Sequence, residues 1–115
     1  MIHSLKTLPK YFDAVARGNK NFEVRKNDRP FTVGDYVALN EYNADSVYTG
    51  KCMLLEITYI LDEQYYCKDG YVILGLSPCA IRSKSRMFEE VDMCYNGVPV
   101  YKRHDNPELL GGAGE

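Results

Sequence analysis

A chain of 115 residues suits a single domain, and a hydrophobic content of 45% argues against a chain that is disordered throughout. No apolar run approaches the roughly 20 residues that span a bilayer, and residues 1–6 lack the apolar core of a signal peptide. We therefore expect a cytoplasmic protein without a membrane partner. The net charge of −2 argues against a strongly basic nucleic-acid-binding protein.

The charge is unevenly distributed along the chain. Residues 1–29 carry seven Lys or Arg against three Asp or Glu, a net charge of +4. Residues 30–81 carry −5 and residues 82–115 carry −1. A basic N-terminal segment in an acidic protein indicates one face that attracts anions. Charges scattered over a solvated surface explain the same counts equally well.

The first predicted elements are a short strand from His3 to Leu8 and a helix that begins at Pro9. Proline suits the first turn of a helix, where its missing N–H group costs nothing. Within residues 10–17 the apolar side chains recur at helical spacing and form one face. A helix of about two turns is unstable alone, so it must pack on the rest of the domain.

A helix end and a second strand are predicted in the segment that follows. A Gly-Asn pair beginning at Gly18 is a good helix terminator, because both residue types tolerate the left-handed conformation. Phe22 and Val24 then alternate with Glu23 and Arg25, which is the period of a strand. We expect the two apolar side chains to anchor the strand in the core and the two charged ones to project from the opposite face.

Five charged residues of this segment form the main candidate site: Lys20, Glu23, Arg25, Lys26 and Arg29. Several cations beside the backbone amides of a turn would hold phosphate, with Glu23 orienting Arg25 or accepting a hydrogen bond from a base. Lys6 would add positive charge from the first strand, where His3 has the opposite parity. The alternative is an exposed ion pair, worth well under about 1 kcal/mol and serving no site.

Three further core strands are predicted at residues 36–42, 52–61 and 71–76, separated by polar loops. Five strands, one early helix and no alternation of strands with helices favour an α+β fold, a small and mostly antiparallel β-barrel with the helix packed on it.

The remaining residues, 79–115, are expected to be a partly flexible C-terminal extension of a domain formed by residues 1–78. The apolar runs that can build a barrel all end by Leu76, so we expect the core to fold without residues 84–115. Asn96 and Gly97 predict a hairpin turn between two short strands, although Pro99 weakens the second strand.

Neither a metal nor a cofactor is predicted. Zinc sites usually bring their ligands in closely spaced pairs, and the four cysteines contain no such pair. They are Cys52, Cys67, Cys79 and Cys94. In a reducing cytoplasm we expect them to be free thiols.

The charged segment also resembles a known family. Its spacing, Gly18-x-Lys20-x-x-Glu23-x-Arg25, is similar to the G-x-K-x-x-E-x-R signature of ASCH domains, a branch of the PUA-like superfamily. Further matches, in the same order, resemble a small bacterial and phage family of uncharacterised ASCH-like proteins. These matches are His3–Lys6, Pro9–Phe12, Arg25–Arg29, Val33–Asp35 and Lys68–Val72. The resemblance covers residues 1–78 and leaves 79–115 without a counterpart.

This resemblance implies a PUA-like barrel that binds RNA or a nucleotide in a cleft holding the motif. It equally allows a small hydrolase, either an amidohydrolase acting on a modified nucleoside or a nuclease. Lys20 would then act as the base or help to activate water, and Glu23 would shuttle the proton. Those hydrolases carry a hydroxyl residue where Glu23 stands. A protein-interaction module is a further alternative, and the sequence predicts no oligomeric state.

Overall fold

A computed structural model of the chain describes residues 1–45, 47–78, 88–95 and 98–103. These residues form one helix and seven strands. The elements in chain order are β1 (Ile2–Thr7), α1 (Pro9–Ala16), β2 (Phe22–Lys26), β3 (Tyr36–Tyr42), β4 (Tyr48–Leu61), β5 (Tyr71–Pro78), β6 (Phe88–Tyr95) and β7 (Val98–Arg103). The helix is not long and apolar enough to cross a membrane.

The strands form one curled sheet. Five of them follow the order β1-β3-β4-β5-β2, and β7 pairs with both β4 and β6. The pair β1–β3 is parallel and every other pairing among the described strands is antiparallel. The prediction of a small, mostly antiparallel α+β fold with one early helix is confirmed at this level. The order places β1 and β2 at opposite ends of the five-strand path.

The core lies between α1 and the concave face of the sheet. Side chains in a strand alternate between its two faces, and the inward set of each central strand is apolar. The largest fully buried apolar side chains are Leu5, Val15, Val37, Leu39, Met53, Leu55, Ile57, Val72, Leu74 and Val100. Each contributes about 1.5–3 kcal/mol relative to an exposed position. Helix α1 joins this core through Phe12, Val15 and Ala16.

Strand β2 has the predicted alternation with its faces reversed. Phe22 and Val24 are 41% and 51% exposed, whereas Glu23 and Arg25 are buried. The expectation that the apolar pair anchors the strand in the core is therefore wrong. The physical reason is position in the sheet, because the inner face of this end strand points at the end of β1 and at Lys20 rather than at the apolar centre.

Strand β7 belongs to the same sheet, and it corrects the expectation that core-building residues end by Leu76. Val98 and Val100 are buried in the main core cluster, and Tyr101 pairs with Cys52 of β4. The predicted hairpin pairing of β6 with β7 is confirmed by the register Tyr95 to Val98. Its turn at residues 96–97, like residues 79–87 and 104–115, lies outside the described residues. The domain boundary at residue 78 stays a prediction.

A buried polar cluster ties β7 to the start of the chain. Arg103 Nη1 donates to Asn40 Oδ1 at 2.8 Å and to Ser4 Oγ at 3.1 Å. Asn40 Nδ2 donates in turn to Ser4 Oγ at 3.0 Å. These bonds join β1, β3 and β7 across the outer side of β1, so both faces of that strand are covered.

Candidate functional site

A cleft of about 720 Å³ opens where β1 ends, between α1 and β2. Five charged residues line it: Lys6, Lys10, Lys20, Glu23 and Arg25. Its apolar walls are Leu8, Tyr11, Ala14, Phe22 and Val24. The volume lies within the range of about 300–1,000 Å³ that is typical of small-molecule sites. The cleft therefore combines a charged floor with partly aromatic walls.

A tight turn after α1 positions Lys20. Gly18 has φ = 79°, in the left-handed region that glycine adopts without strain. Its N–H donates to Val15 O at 3.0 Å, and the N–H of Asn19 donates to Ala14 O at 2.9 Å. This pair of bonds is a Schellman motif. The Lys20 N–H also donates to Ala14 O, at 3.1 Å. The expectation that this turn offers free amides to phosphate is wrong, because helix carbonyls occupy them.

The Lys20 ammonium lies among an acid and two aromatic rings. Its Nζ donates to Glu23 Oε1 and lies 5.1 Å from the ring centre of Phe22 and 5.5 Å from that of Tyr11. Cations are attracted to aromatic faces at such distances. The side chain is 17% exposed. These contacts hold the positive charge at the surface of the cleft.

Arg25 connects the two end strands of the sheet path. Its Nε donates to Glu23 Oε2 at 3.1 Å. Its Nη2 donates to the Lys6 carbonyl at 2.5 Å and to Thr7 Oγ1 at 3.3 Å. Since β1 and β2 are not paired with each other among the described strands, the arginine side chain bridges a seam that backbone hydrogen bonds leave open.

Glu23 is the centre of this network, and its side chain is only 5% exposed. A buried carboxylate is costly unless charges and hydrogen bonds compensate it, and here Lys20 and Arg25 do so from opposite oxygens. The expectation that this ion pair is exposed is therefore wrong, and its role in a site stays a prediction. With Lys10 also in its lining, the cleft has an excess of positive charge. The Lys6 ammonium lies apart from it, 5.0 Å from the ring centre of Tyr42.

The structure brings together four of the six predicted site residues. Lys6, Lys20, Glu23 and Arg25 line the cleft, whereas Lys26 and Arg29 do not. Arg29 instead donates from Nη1 to the Ser4 carbonyl at 3.4 Å. Lys26 is the last residue of the five-residue strand β2 and lies beyond the cleft. Its closeness to Arg25 in sequence therefore does not bring it to the site.

Two residues of α1 were not predicted for the site. By its spacing Tyr11 belongs to the apolar face predicted within residues 10–17, yet it is 43% exposed and lines the cleft. Lys10 stands beside it, with Nζ 5.2 Å from the centre of the tyrosine ring. The short length of the helix could have indicated the position of Tyr11. Three side chains, those of Phe12, Val15 and Ala16, are enough to cover the core along two turns.

His3 belongs to a separate buried pair. It is 1% exposed, and its Nε2 lies 2.8 Å from Asp35 Oδ2. Asp35 also accepts from the Thr32 N–H at 3.2 Å. The hydrogen bond with His3 is the main cause that lowers the pKa of Asp35 below 3.8, and the nearby amino group of Met1 lowers it further. This pair lies outside the cleft lining and supports the fold.

The cleft lies in the part of the chain that is similar to known proteins. Over 73 residues the chain is 40% identical to the "Uncharacterized 12.9 kDa protein in GpA 3'region" of Escherichia phage P2. The match covers 64% of this chain and 65% of the phage protein, somewhat less than two thirds of that relative. The family described as Domain of unknown function (DUF3850) matches residues 2–76, which include every residue lining the cleft. The chain therefore belongs to the DUF3850 family.

Proposed function

We propose that the cleft binds RNA or a nucleotide, the role implied by the resemblance to ASCH domains of the PUA-like superfamily. One observation carries this proposal. Three cationic side chains, those of Lys10, Lys20 and Arg25, share a cleft with a single buried carboxylate and exposed aromatic walls. Cations meet phosphate, and aromatic rings stack on bases at about 1–3 kcal/mol for each base.

The contacts of these residues suggest a different role for each in ligand binding. The ammonium groups of Lys10 and Lys20 are the phosphate contacts, because flexible lysines bind phosphate as point charges. The Lys6 ammonium lies 5.0 Å from the ring centre of Tyr42, which is outside the cleft lining. Arg25 is committed to Glu23 and to β1, so it positions the carboxylate. Glu23 accepts from an amine on the base. Lys26 and Arg29 would be reached only by an RNA that extends beyond the cleft.

A hydrolase acting on a modified nucleoside is the second candidate. A buried Glu23 beside Lys20, in a cleft of nucleoside size, is the observation that favours it. The Lys20 ammonium would first have to pass its own proton to Glu23, and only the resulting neutral amine could accept a proton from water or substrate. Binding needs no such rearrangement, so we prefer it. Release of acetate from an N-acetylated cytidine by wild type, lost in Lys20→Ala, would reverse this preference.

Titration with short RNAs at two salt concentrations tests binding. Each neutralised phosphate contributes a slope of roughly 0.7 to the salt dependence for single strands. We expect Lys20→Ala to weaken binding of many sequences and to reduce that slope by somewhat under about one unit. Glu23→Gln should instead change the preference among sequences.

Lys68→Ala is the matched control, because it removes the same charge from a loop outside the cleft lining. It should leave both affinity and slope close to those of wild type. Absence of salt-dependent binding by wild type to RNA and to nucleotides, with no effect of Lys20→Ala, would reject the proposal.

A further inference from the structure

The cleft runs along the backbone edge of β2. Four consecutive residues of this strand, Phe22 to Arg25, line it. Successive side chains of a strand point to opposite faces, and here two are exposed while two are buried. A single cleft touches all four only by following the edge of the strand. Strand β2 has such an edge, because it ends the five-strand path formed by the described residues.

The hydrogen-bond pattern of the β2–β5 ladder shows which backbone groups point to this edge. At one end the Leu76 N–H donates to Asn21 O, and at the other the Asn27 N–H donates to Gly70 O, both at 2.9 Å. Bonded pairs alternate with non-bonded pairs in an antiparallel ladder. The odd-numbered residues of β2 therefore bond to β5. The N–H and C=O groups of Val24, at the centre of the strand, point away from β5 and into the cleft.

On the basis of the proposed function, we infer that the Val24 backbone recognises the base of the bound nucleotide. Its N–H and C=O lie side by side as one donor and one acceptor, and the described residues supply no backbone partner for them. The edge of an amino-bearing base presents the complementary acceptor and donor. The ligand class is thus a nucleotide with an exocyclic amine beside a ring nitrogen, its phosphate held by the lysines.

A nucleotide fits this edge better than a peptide strand does. Strand β2 has only five residues, so few backbone groups are available for strand addition. The side chains of Lys10, Lys20 and Arg25 bring positive charge to the same cleft, which favours an anionic ligand. Pairing with a second copy of the chain, or with a peptide, is left as an outcome of the test.

The test removes one N–H group. Val24→Pro deletes the donor that faces the cleft, and proline is accepted in an edge strand when its N–H side is unpaired. Val24→Ala keeps the donor and is the matched control. The probes are adenosine and cytidine 5′-monophosphate, with ribose 5-phosphate as a probe that has the phosphate and lacks the base.

We expect wild type and Val24→Ala to bind both nucleotides more tightly than ribose 5-phosphate. Val24→Pro should lose about fivefold to tenfold in nucleotide affinity, as for one lost hydrogen bond, with ribose 5-phosphate unchanged. Equal binding of all three probes by wild type would overturn this inference but would still support an anion-binding site. Binding of none, with no binding of short RNAs, would overturn the proposed function itself.

Two further measurements keep the test decisive. If thermal unfolding shows that Val24→Pro does not fold, wild type is titrated with the nucleotides dimethylated on the exocyclic amine. Loss of the preference over ribose 5-phosphate supports the inference, and an unchanged affinity overturns it. A concentration-dependent doubling of mass in wild type that Val24→Pro abolishes would assign the edge to a second copy, which also overturns it.

Discussion

At the scale of single residues, the site is a buried charge network whose members depend on one another. Glu23 accepts a hydrogen bond from Lys20 on one carboxylate oxygen and from Arg25 on the other. Removing one partner of a buried pair leaves an uncompensated charge, which is more damaging than loss of an exposed pair. The spacing of these residues predicted that Glu23 and Arg25 share a face. It did not predict which face is buried, because burial depends on strands distant in sequence.

The Asp35 carboxyl provides a prediction of pH dependence. Its pKa is lowered in the folded protein, chiefly by the hydrogen bond with His3. A carboxyl whose pKa is lower in the folded state stabilises the fold at pH values above its unfolded-state pKa, here near 3.8. That stabilisation is lost as the pH falls through the folded-state pKa. Asp35→Asn should therefore unfold at a lower temperature than wild type at pH 7, and the difference should shrink towards pH 3.

Thermal unfolding followed by circular dichroism between pH 7 and pH 3 measures this difference. Asp62→Asn, in the polar loop between β4 and β5, is the control and should show a nearly constant offset from wild type. A difference for Asp35→Asn that stays the same across the whole range would contradict the role assigned to the His3–Asp35 pair.

At the scale of elements, the turn between α1 and β2 connects the fold to the site. The sequence predicted the helix and its end at Gly18, and both are confirmed. These features are local, since a proline at the start, a helical apolar period and a Gly-Asn pair act within a few residues. The Lys20 N–H bond to Ala14 was missed, because such closure depends on the backbone geometry of the turn.

Gly18→Ala tests this turn. An alanine at φ = 79° places a side chain in the left-handed region, which costs about 1–2 kcal/mol. Gly18→Asn should cost less, because asparagine tolerates that region better than alanine does. Urea unfolding should rank the free energies of unfolding as wild type, then Asn, then Ala.

Asn19→Ala is the matched control, since it keeps the backbone N–H that bonds to Ala14 and changes only an exposed side chain. It should unfold close to wild type. If Gly18→Ala is as stable as Asn19→Ala, the left-handed turn is not required. Nucleotide affinity measured on Gly18→Asn and Gly18→Ala then shows whether the turn positions Lys20. Asn19 lines the cleft, so Asn19→Ala is the control for stability alone.

At the scale of the whole molecule, the sheet is completed by β7, which lies in the segment predicted to be a C-terminal extension. The apolar runs of the central strands predicted a small, mostly antiparallel fold. The parallel pairing of β1 with β3 and the docking of β7 on β4 were not predicted, because pairings between distant strands leave no local pattern. A short strand containing Pro99 also gave a weak signal of its own.

Deletion of residues 84–115 should now abolish or severely weaken cooperative unfolding. It removes Val98 and Val100 from the core and Arg103 from its bonds to Ser4 and Asn40. Each buried valine alone contributes about 1.5–3 kcal/mol, against a total stability of about 5–15 kcal/mol for a typical domain.

Thermal and urea unfolding of the shortened protein measure this effect. Deletion of residues 104–115 is the control, because it leaves β7 in place, and we expect it to keep a cooperative transition. A sharp, reversible transition after deletion of residues 84–115 would show that residues 1–83 fold by themselves, as the sequence alone had led us to expect.

The bond between Arg103 and Ser4 has a consequence for the order of events during synthesis. It joins residues 99 positions apart, so a growing chain displays β1, α1 and the whole cleft long before β7 exists. Contacts between such distant residues form late, since the intervening chain must first close into a loop. On the ribosome the sheet stays incomplete until residue 103 has left the exit tunnel. Until then the edge of β4 at Lys51 and Cys52, with which β7 will pair, is open to chaperones and to neighbouring nascent chains.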